Sequence, residues 1–319
     1  MNLKDIKIVF FGTPEFAVAS LDALVKAGAS VKAVVTAPDK PAGRGHKLLK
    51  SDVKKYAEAN GLNLLQPTNL KDPEFISTLH SLDADLFIII AFRMLPEAVW
   101  GMPPMGTVNL HASLLPKYRG AAPINRAIMN GETKSGVTTF FLKHEIDTGD
   151  IISQAEVDIT PDDNCGTLHD KLMNLGASLV VKNVKAIAEG NIKTIPQPAG
   201  DFTPAPKIFR QDCEIDWDRP AIEIHNLVRG LSPYPAAKAA ILESDGKEIE
   251  IRVLESAIAG NDEGGRLAPG DILLESSSMR VKCADRMLEI TRIQPAGKKS
   301  MSVADYLLGH TPEKFILRK

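Results

Sequence analysis

Short apolar runs alternate with amphipathic stretches through the first 190 residues. Ile6 to Phe11 is a β-rich run ending in Gly12-Thr13-Pro14, and Pro14 suits the first turn of a helix reaching about Ala27. Val31 to Thr36 repeats the strand pattern, and Ser51 to Ala59 reads as a helix capped by Ser51. Further strands are predicted at Leu62 to Leu65, Leu86 to Phe92, Thr107 to His111, Gly136 to Leu142 and Ile151 to Ile159. Helices are predicted at Pro73 to His80, Pro123 to Met129 and Thr167 to Glu189. Buried strands alternating with helices predict an α/β domain, a mostly parallel sheet with helices on both faces.

The pattern then changes. Ile195-Pro196-Gln197-Pro198 and Pro204-Ala205-Pro206 have the composition of a linker. One amphipathic helix, Pro220 to Leu231, precedes five short β-runs: Ala237 to Glu243, Ile249 to Glu255, Gly270 to Leu274, Met279 to Cys283 and Met287 to Gln294. This predicts a small barrel of the oligonucleotide-binding type. The expected organisation is a catalytic domain at residues 1–194, a linker at 195–207 and a second domain at 208–319.

Composition narrows the class without naming a function. The 319 residues are 44% hydrophobic and 24% charged, as expected of a chain that buries a core. Lys and Arg number 38 against 40 Asp and Glu, which excludes a uniformly basic coat for nucleic acid. Cys165, Cys213 and Cys283 are odd in number and far apart, so no disulfide framework is expected. The first seven residues are too charged to lead a secretory segment, and Leu86 to Phe92 is far too short to span a bilayer. A cytoplasmic protein without a membrane partner is expected.

Gly12-x-Pro14-x-x-Ala17 follows a strand and opens a helix, but it lacks two glycines of the dinucleotide fingerprint, so it reads as a strand-to-helix turn. Asn109 and His111 carry more. Two apart at the end of a predicted strand, they share a face, at the carboxyl edge where open α/β sheets bind ligands. An amide beside an imidazole can stabilise an oxyanion and move a proton. A strand-end histidine bonded to its own loop is the competing explanation. The cluster His144 to Asp150 follows the next strand and reads by default as a solvated turn. A carboxylate there could also orient His111 and hold it cationic. No zinc-type spacing joins these residues, so no metal is expected.

The run Asn109 to Pro123, with Ile146-Asp147-Thr148-Gly149-Asp150-Ile151, resembles the folate-dependent formyltransferases. Thr36 to Leu48, Pro206-Lys207-Ile208, Ile215-Asp216-Trp217 and His225 to Pro233 narrow the resemblance to the methionyl-tRNA formyltransferase branch and extend it over nearly the whole chain. The resemblance implies a Rossmann-like catalytic domain and an oligonucleotide-binding-type barrel. It implies transfer of a formyl group from 10-formyltetrahydrofolate, as donor co-substrate, to the α-amine of methionyl initiator tRNA. It also implies a monomer. By position in the motif, Asn109, His111 and Asp147 match the catalytic trio, while Ser113, Leu114, Leu115 and Pro116 match the folate loop. Ile90, Ala91 and Phe92 end a strand beside this site and are expected to line the folate pocket. A Tyr-Gly pair is usual after that alanine in the family, whereas this chain has Phe92-Arg93.

Charge by segment bears on the acceptor. Residues 36–55 hold six basic side chains against two acidic, a net of +4, and Lys40, Arg44, Lys47 and Lys50 are the expected tRNA contacts. Residues 207–319 carry 17 basic and 18 acidic side chains, but from Arg280 onward nine basic face four acidic. A basic face tracking the tRNA backbone is expected there. A related formyltransferase acting on a small amine, such as glycinamide ribonucleotide or an amino sugar, would share the trio without needing these charges. A non-catalytic RNA-binding module on the same scaffold would leave the trio without a reason to converge.

Overall fold

The computed structural model describes residues 2–42, 47–198, 200, 202–259 and 265–316. The chain forms two compact units that are not contiguous in sequence. One comprises Met1–Gly120, Ser135–Val157 and His169–Pro204, the other Ala121–Lys134, Asp158–Leu168 and Ala205–Lys319.

The strands of the first half are β1 (Lys7–Gly12), β2 (Ser30–Val35), β3 (Lys40–Ala42), β4 (Lys47–Leu49), β5 (Leu64–Leu65), β6 (Leu86–Ile90), β7 (Thr107–His111), β8 (Arg119–Gly120), β9 (Lys134–Phe141), β10 (Ile151–Asp158) and β11 (Pro204–Ala205). The helices are α1 (Glu15–Lys26), α2 (Asp52–Ala59), α3 (Pro73–Ser81), α4 (Glu97–Trp100), α5 (Pro123–Met129) and α6 (Cys165–Ala188). Among the described residues a seven-stranded sheet runs β10-β9-β7-β6-β1-β2-β5. The pairs from β7 through β5 are parallel and β7 with β9 is antiparallel, so the sheet is Rossmann-like and mostly parallel. Strand order reverses between β1 and β6, and open α/β sheets bind ligands at the carboxyl ends of strands beside such a switch point.

Local signals explain most boundaries. Ser51 caps α2, its hydroxyl accepting from the Lys54 N–H at 3.0 Å, and Asp72 caps α3 with Pro73 in the first turn. Pro14 is the N-cap residue of α1 and stands just outside the helix. A Cβ at Gly12 would lie 2.6 Å from that of Ala17, so glycine there permits close packing of α1 on β1. On one sheet face Val9, Phe11, Ala33, Val35, Phe87 and Ile89 pack against Phe75 and Leu79 of α3. Burying each of the larger of these side chains contributes roughly 1.5–3 kcal/mol.

The second unit carries α7 (Ala221–Leu231), α8 (Val303–Leu307) and strands β12 (Ala237–Glu243), β13 (Glu248–Ile258), β14 (Ile272–Glu275), β15 (Ser278–Lys282), β16 (Met287–Pro295), β17 (Met301–Ser302) and β18 (Pro312–Ile316). Their antiparallel order is β14-β15-β16-β13-β12-β18, with β17 beside β16. A bridge between Asp271 and Lys314 links the two ends into a nearly closed barrel. The expected five strands are joined by β17 and β18. The latter, Pro-Glu-Lys-Phe-Ile, has two charged residues among its five and forms no apolar run, yet Phe315 is buried against Trp217, ring centroids 4.6 Å apart.

Two outlying segments join this unit through α7. Asn125 of α5 donates to the Gly230 carbonyl at 2.7 Å, and the Arg229 guanidinium donates to the carbonyls of Thr160, Pro161 and Asp163.

Candidate active site

Asn109 interrupts an otherwise apolar row. Across four strands the register aligns Phe11, Ile89, Asn109 and Phe140, so a half-buried amide occupies a slot the sheet would fill with hydrocarbon. Leu110, on the opposite face, lies against Gly176 of α6. The Asn109 amide makes no hydrogen bond among the described residues. Two residues on, His111 ends β7 on the same face and is 7% exposed.

The imidazole is held by one nitrogen. Nε2 donates to the Tyr118 carbonyl at 2.8 Å, and since a carbonyl only accepts, Nε2 bears a proton. Nδ1 is left facing Asp147, whose Oδ2 stands 3.8 Å away, beyond hydrogen-bond length. That carboxylate oxygen accepts from the Gly120 N–H at 3.0 Å. One nitrogen thus serves the loop, as the competing explanation expected, and the other faces a buried carboxylate. The structure brings Asn109, His111 and Asp147 to one edge of the sheet.

Residues 113–117 form a braced loop. The Ser113 hydroxyl donates to the Lys117 carbonyl at 2.6 Å, and Thr138 Oγ1 donates to the Ser113 carbonyl at 2.6 Å. Gln154 donates to the Leu115 carbonyl at 2.9 Å, and the Leu115–Pro116 peptide is cis. Ser113 and Leu115 are buried, Leu115 packing with Phe140 and Ile151, while Leu114 and Pro116 are half-buried. The Ser113 and Leu115 side chains are thus committed to shaping the loop.

At the end of β6, Ile90 is fully buried and Ala91 is exposed with φ of +46°. Phe92 packs edge-on against Phe11, ring centroids 5.7 Å apart. Arg93 donates to the carbonyls of Pro67 and Thr68. The left-handed residue is Ala91, and Arg93 has a negative φ, so replacing the family's glycine there costs no backbone strain.

The Asp147 loop is held by parts that the sequence pattern did not single out. Asp147 has φ of +54°, and a Cβ on Gly149 would sit 1.6 Å from the Phe141 carbonyl oxygen, so only glycine lets the loop return to β9. Gln197 Nε2 donates to the carbonyls of Asp147 and Gly149, both at 2.8 Å. Its Oε1 accepts from Arg119 Nε at 3.2 Å and Nη2 at 2.5 Å. Ile195, two residues before, pairs with Ile151. A glutamine between prolines in a stretch of linker composition carries no chemical signal in the sequence. His144 points elsewhere, 3.2 Å from Glu97 and edge-on to Trp100.

Of the expected tRNA contacts, Arg44 lies outside the described residues, as does the side chain of Lys47. Lys40 is exposed, and Lys50 is paired with Glu58 at 2.7 Å. Lys54, also counted in the local charge, is tied to Asp39 at 2.7 Å, where its ammonium and then the Gln66 amide hold the Asp39 carboxyl below the usual range. A cavity of about 620 Å³ in the second unit, bordered by Phe209, Arg210, Tyr234, Lys238 and Arg252, shares no residue with the trio. Among the described residues no helix is long and apolar enough to cross a membrane.

Residues 6–184 match the family described as Formyl transferase, and residues 207–311 match Formyl transferase, C-terminal domain. Methionyl-tRNA formyltransferase of Bacteroides fragilis is 49% identical over 324 residues, covering 100% of this chain and 99% of that protein. The chain belongs to the methionyl-tRNA formyltransferase family. The enzyme of that name from Flavobacterium johnsoniae is 48% identical, covering 97% of this chain and 98% of its own. Among solved structures, WlaRD, a sugar 3N-formyl transferase, matches with a TM-score of 0.64 at 21% identity, over 92% of this chain and 99% of that one. HypX from Aquifex aeolicus matches at 0.65 and 17% identity, over 95% of this chain and 48% of that one. At those identities the likeness shows the shared two-part formyltransferase fold.

Proposed function

We propose that the chain transfers the formyl group of 10-formyltetrahydrofolate to the α-amine of methionyl initiator tRNA, with Asn109, His111 and Asp147 as its catalytic residues. The amine nitrogen attacks the formyl carbon, the carbonyl oxygen gains negative charge, and the bond to the folate nitrogen then breaks. The uncommitted Asn109 amide would donate to that oxygen, a kind of contact worth about 3 kcal/mol in acyl transfer. His111 Nδ1, facing Asp147, is the nitrogen available to the reaction, because Nε2 is spent on Tyr118. A cationic His111 would add its Nδ1–H to the oxyanion's donors, and the His111–Asp147 pair would carry the amine's proton toward the folate nitrogen. Ser113 is no nucleophile in this scheme, its hydroxyl being donated to Lys117.

The observation that carries this reading is the meeting of an unpaired strand amide, a half-committed imidazole and a buried carboxylate at the carboxyl edge of the sheet. We infer that Ile90, Ala91, Phe92 and the 113–116 loop receive the folate, and that Lys40, Arg44, Lys47 and Lys50 meet the acceptor arm. The reaction would take place in the cytoplasm, with the chain acting as a monomer. The test is formyl transfer from 10-formyltetrahydrofolate to methionyl initiator tRNA by wild type, His111→Ala and Arg44→Ala. The expected result is transfer lost in His111→Ala, and weakened mainly in KM for tRNA in Arg44→Ala. Formylation of a small amine but not of tRNA would overturn the assignment of acceptor.

A further inference from the structure

Gln197 sits in sequence far from every residue assigned to the chemistry, yet its one side chain ties the backbone of the Asp147 loop to the guanidinium of Arg119. We propose that Gln197 is a positioning residue for the transfer, a clasp that sets the distance between Asp147 and His111. The inference rests on the catalytic role proposed above for Asp147.

Geometry carries the case. The two amide hydrogens of Gln197 go to the carbonyls of Asp147 and Gly149, which flank the left-handed turn, and its oxygen takes two bonds from Arg119. Arg119 is next in chain to Gly120, whose N–H holds Asp147 Oδ2. It follows Tyr118, whose carbonyl holds His111 Nε2. One glutamine thus spans from the backbone of the carboxylate to the segment that grips both the carboxylate and the imidazole. Arg119 is further fixed by the Phe202 ring, 5.2 Å from its guanidinium carbon, and by its own N–H on the Thr203 carbonyl at 3.1 Å.

A left-handed aspartate is an unfavourable backbone state that persists only where its surroundings enforce it. The carbonyl on each side of Thr148 is pinned by the same amide group, so the turn cannot relax without breaking both bonds. Since a misplacement of 1 Å can cost about a hundredfold in rate, the clasp acts on turnover and not on substrate affinity.

Gln197→Ala removes the clasp, and Gln197→Glu keeps an acceptor for Arg119 while removing the donor to both carbonyls. Both variants should lower kcat about 10- to 100-fold with KM for folate and tRNA within about twofold. Gln197→Glu should retain the wild-type melting temperature to within a few degrees, since its tie to Arg119 persists. The pH–rate profile should shift in both, and neither change should slow an Asp147→Ala enzyme further in single turnover. A folded Gln197→Glu with wild-type kcat and pH profile, or losses that multiply with those of Asp147→Ala, would overturn the inference. Asp147→Ala separates the two ideas. If it leaves kcat intact, the role of the carboxylate fails and the clasp with it. If it abolishes turnover while a folded Gln197→Glu keeps wild-type kcat, the clasp alone falls.

Discussion

Gly149→Ala is the sharpest probe of the carboxylate loop because the obstacle is backbone. The added methyl would stand 1.6 Å from the Phe141 carbonyl oxygen and 2.8 Å from its carbon, where ordinary contact begins at 3.4 Å. The loop must therefore retreat by about 1.8 Å, from 1.6 to 3.4 Å, since β9 is fixed on both sides by the sheet. That retreat breaks the bond from Gln197 to the Gly149 carbonyl and the Phe141 N–H bond to Asp150, each worth about 1 kcal/mol. With residual strain the cost is about 3 kcal/mol, or on the order of 10 °C in melting temperature. Asp147, two residues away, moves with the loop, so kcat should fall about a hundredfold or more. Gly190→Ala is the control: its φ is +73° but nothing lies within 4 Å, so it should cost about 1 kcal/mol and leave kcat alone. Thermal melting and initial rates of formyl transfer measure both. A Gly149→Ala enzyme with wild-type kcat would refute the proposed need for this loop position.

Three further outcomes follow from other parts of the structure. Asn109→Ala should lose about 10²- to 10³-fold in kcat with little change in melting, because its amide bonds no described residue; an unchanged kcat would remove it from the oxyanion site. His225, half-buried on α7 with Nδ1 against Ser256, has a pKa lowered to about 4 by desolvation and then by Arg229. Its contribution is complete above the unfolded value near 6.5 and is lost as pH falls toward 4, so the barrel should weaken by about 1 kcal/mol between pH 7 and 5 after allowance for solvent screening. His225→Gln should flatten that slope in denaturant titrations. Trp217→Ala, emptying a fully buried site against Phe315, should cost about 3–5 kcal/mol, seen as early loss of the barrel's melting transition.

Period and punctuation made most of the fold legible. Thr107 to His111 and Pro123 to Met129 agree with the observed elements residue for residue, because each is bounded by a steric signal, Gly106 before the strand and Pro123 opening the helix. β18 escaped because its inward residues are few and its charges many, and β3 with β4 because three-residue strands carry no period.

Asn109 and His111 could be paired from spacing alone, since alternation along one strand places them on the same face. Their relation to Asp147 was only an expectation drawn from strand order and family resemblance. What the chain alone determined was thus local: strand faces, helix caps, and the residue types able to bear the chemistry. Tertiary structure decided which nitrogen of His111 is free, through the Tyr118 carbonyl. It also decided that Gln197 bonds the Asp147 loop and that residues 121–134 and 158–168 belong with the barrel. Those outcomes depend on contacts between segments tens of residues apart, and no period or motif within one segment encodes the partner it will meet.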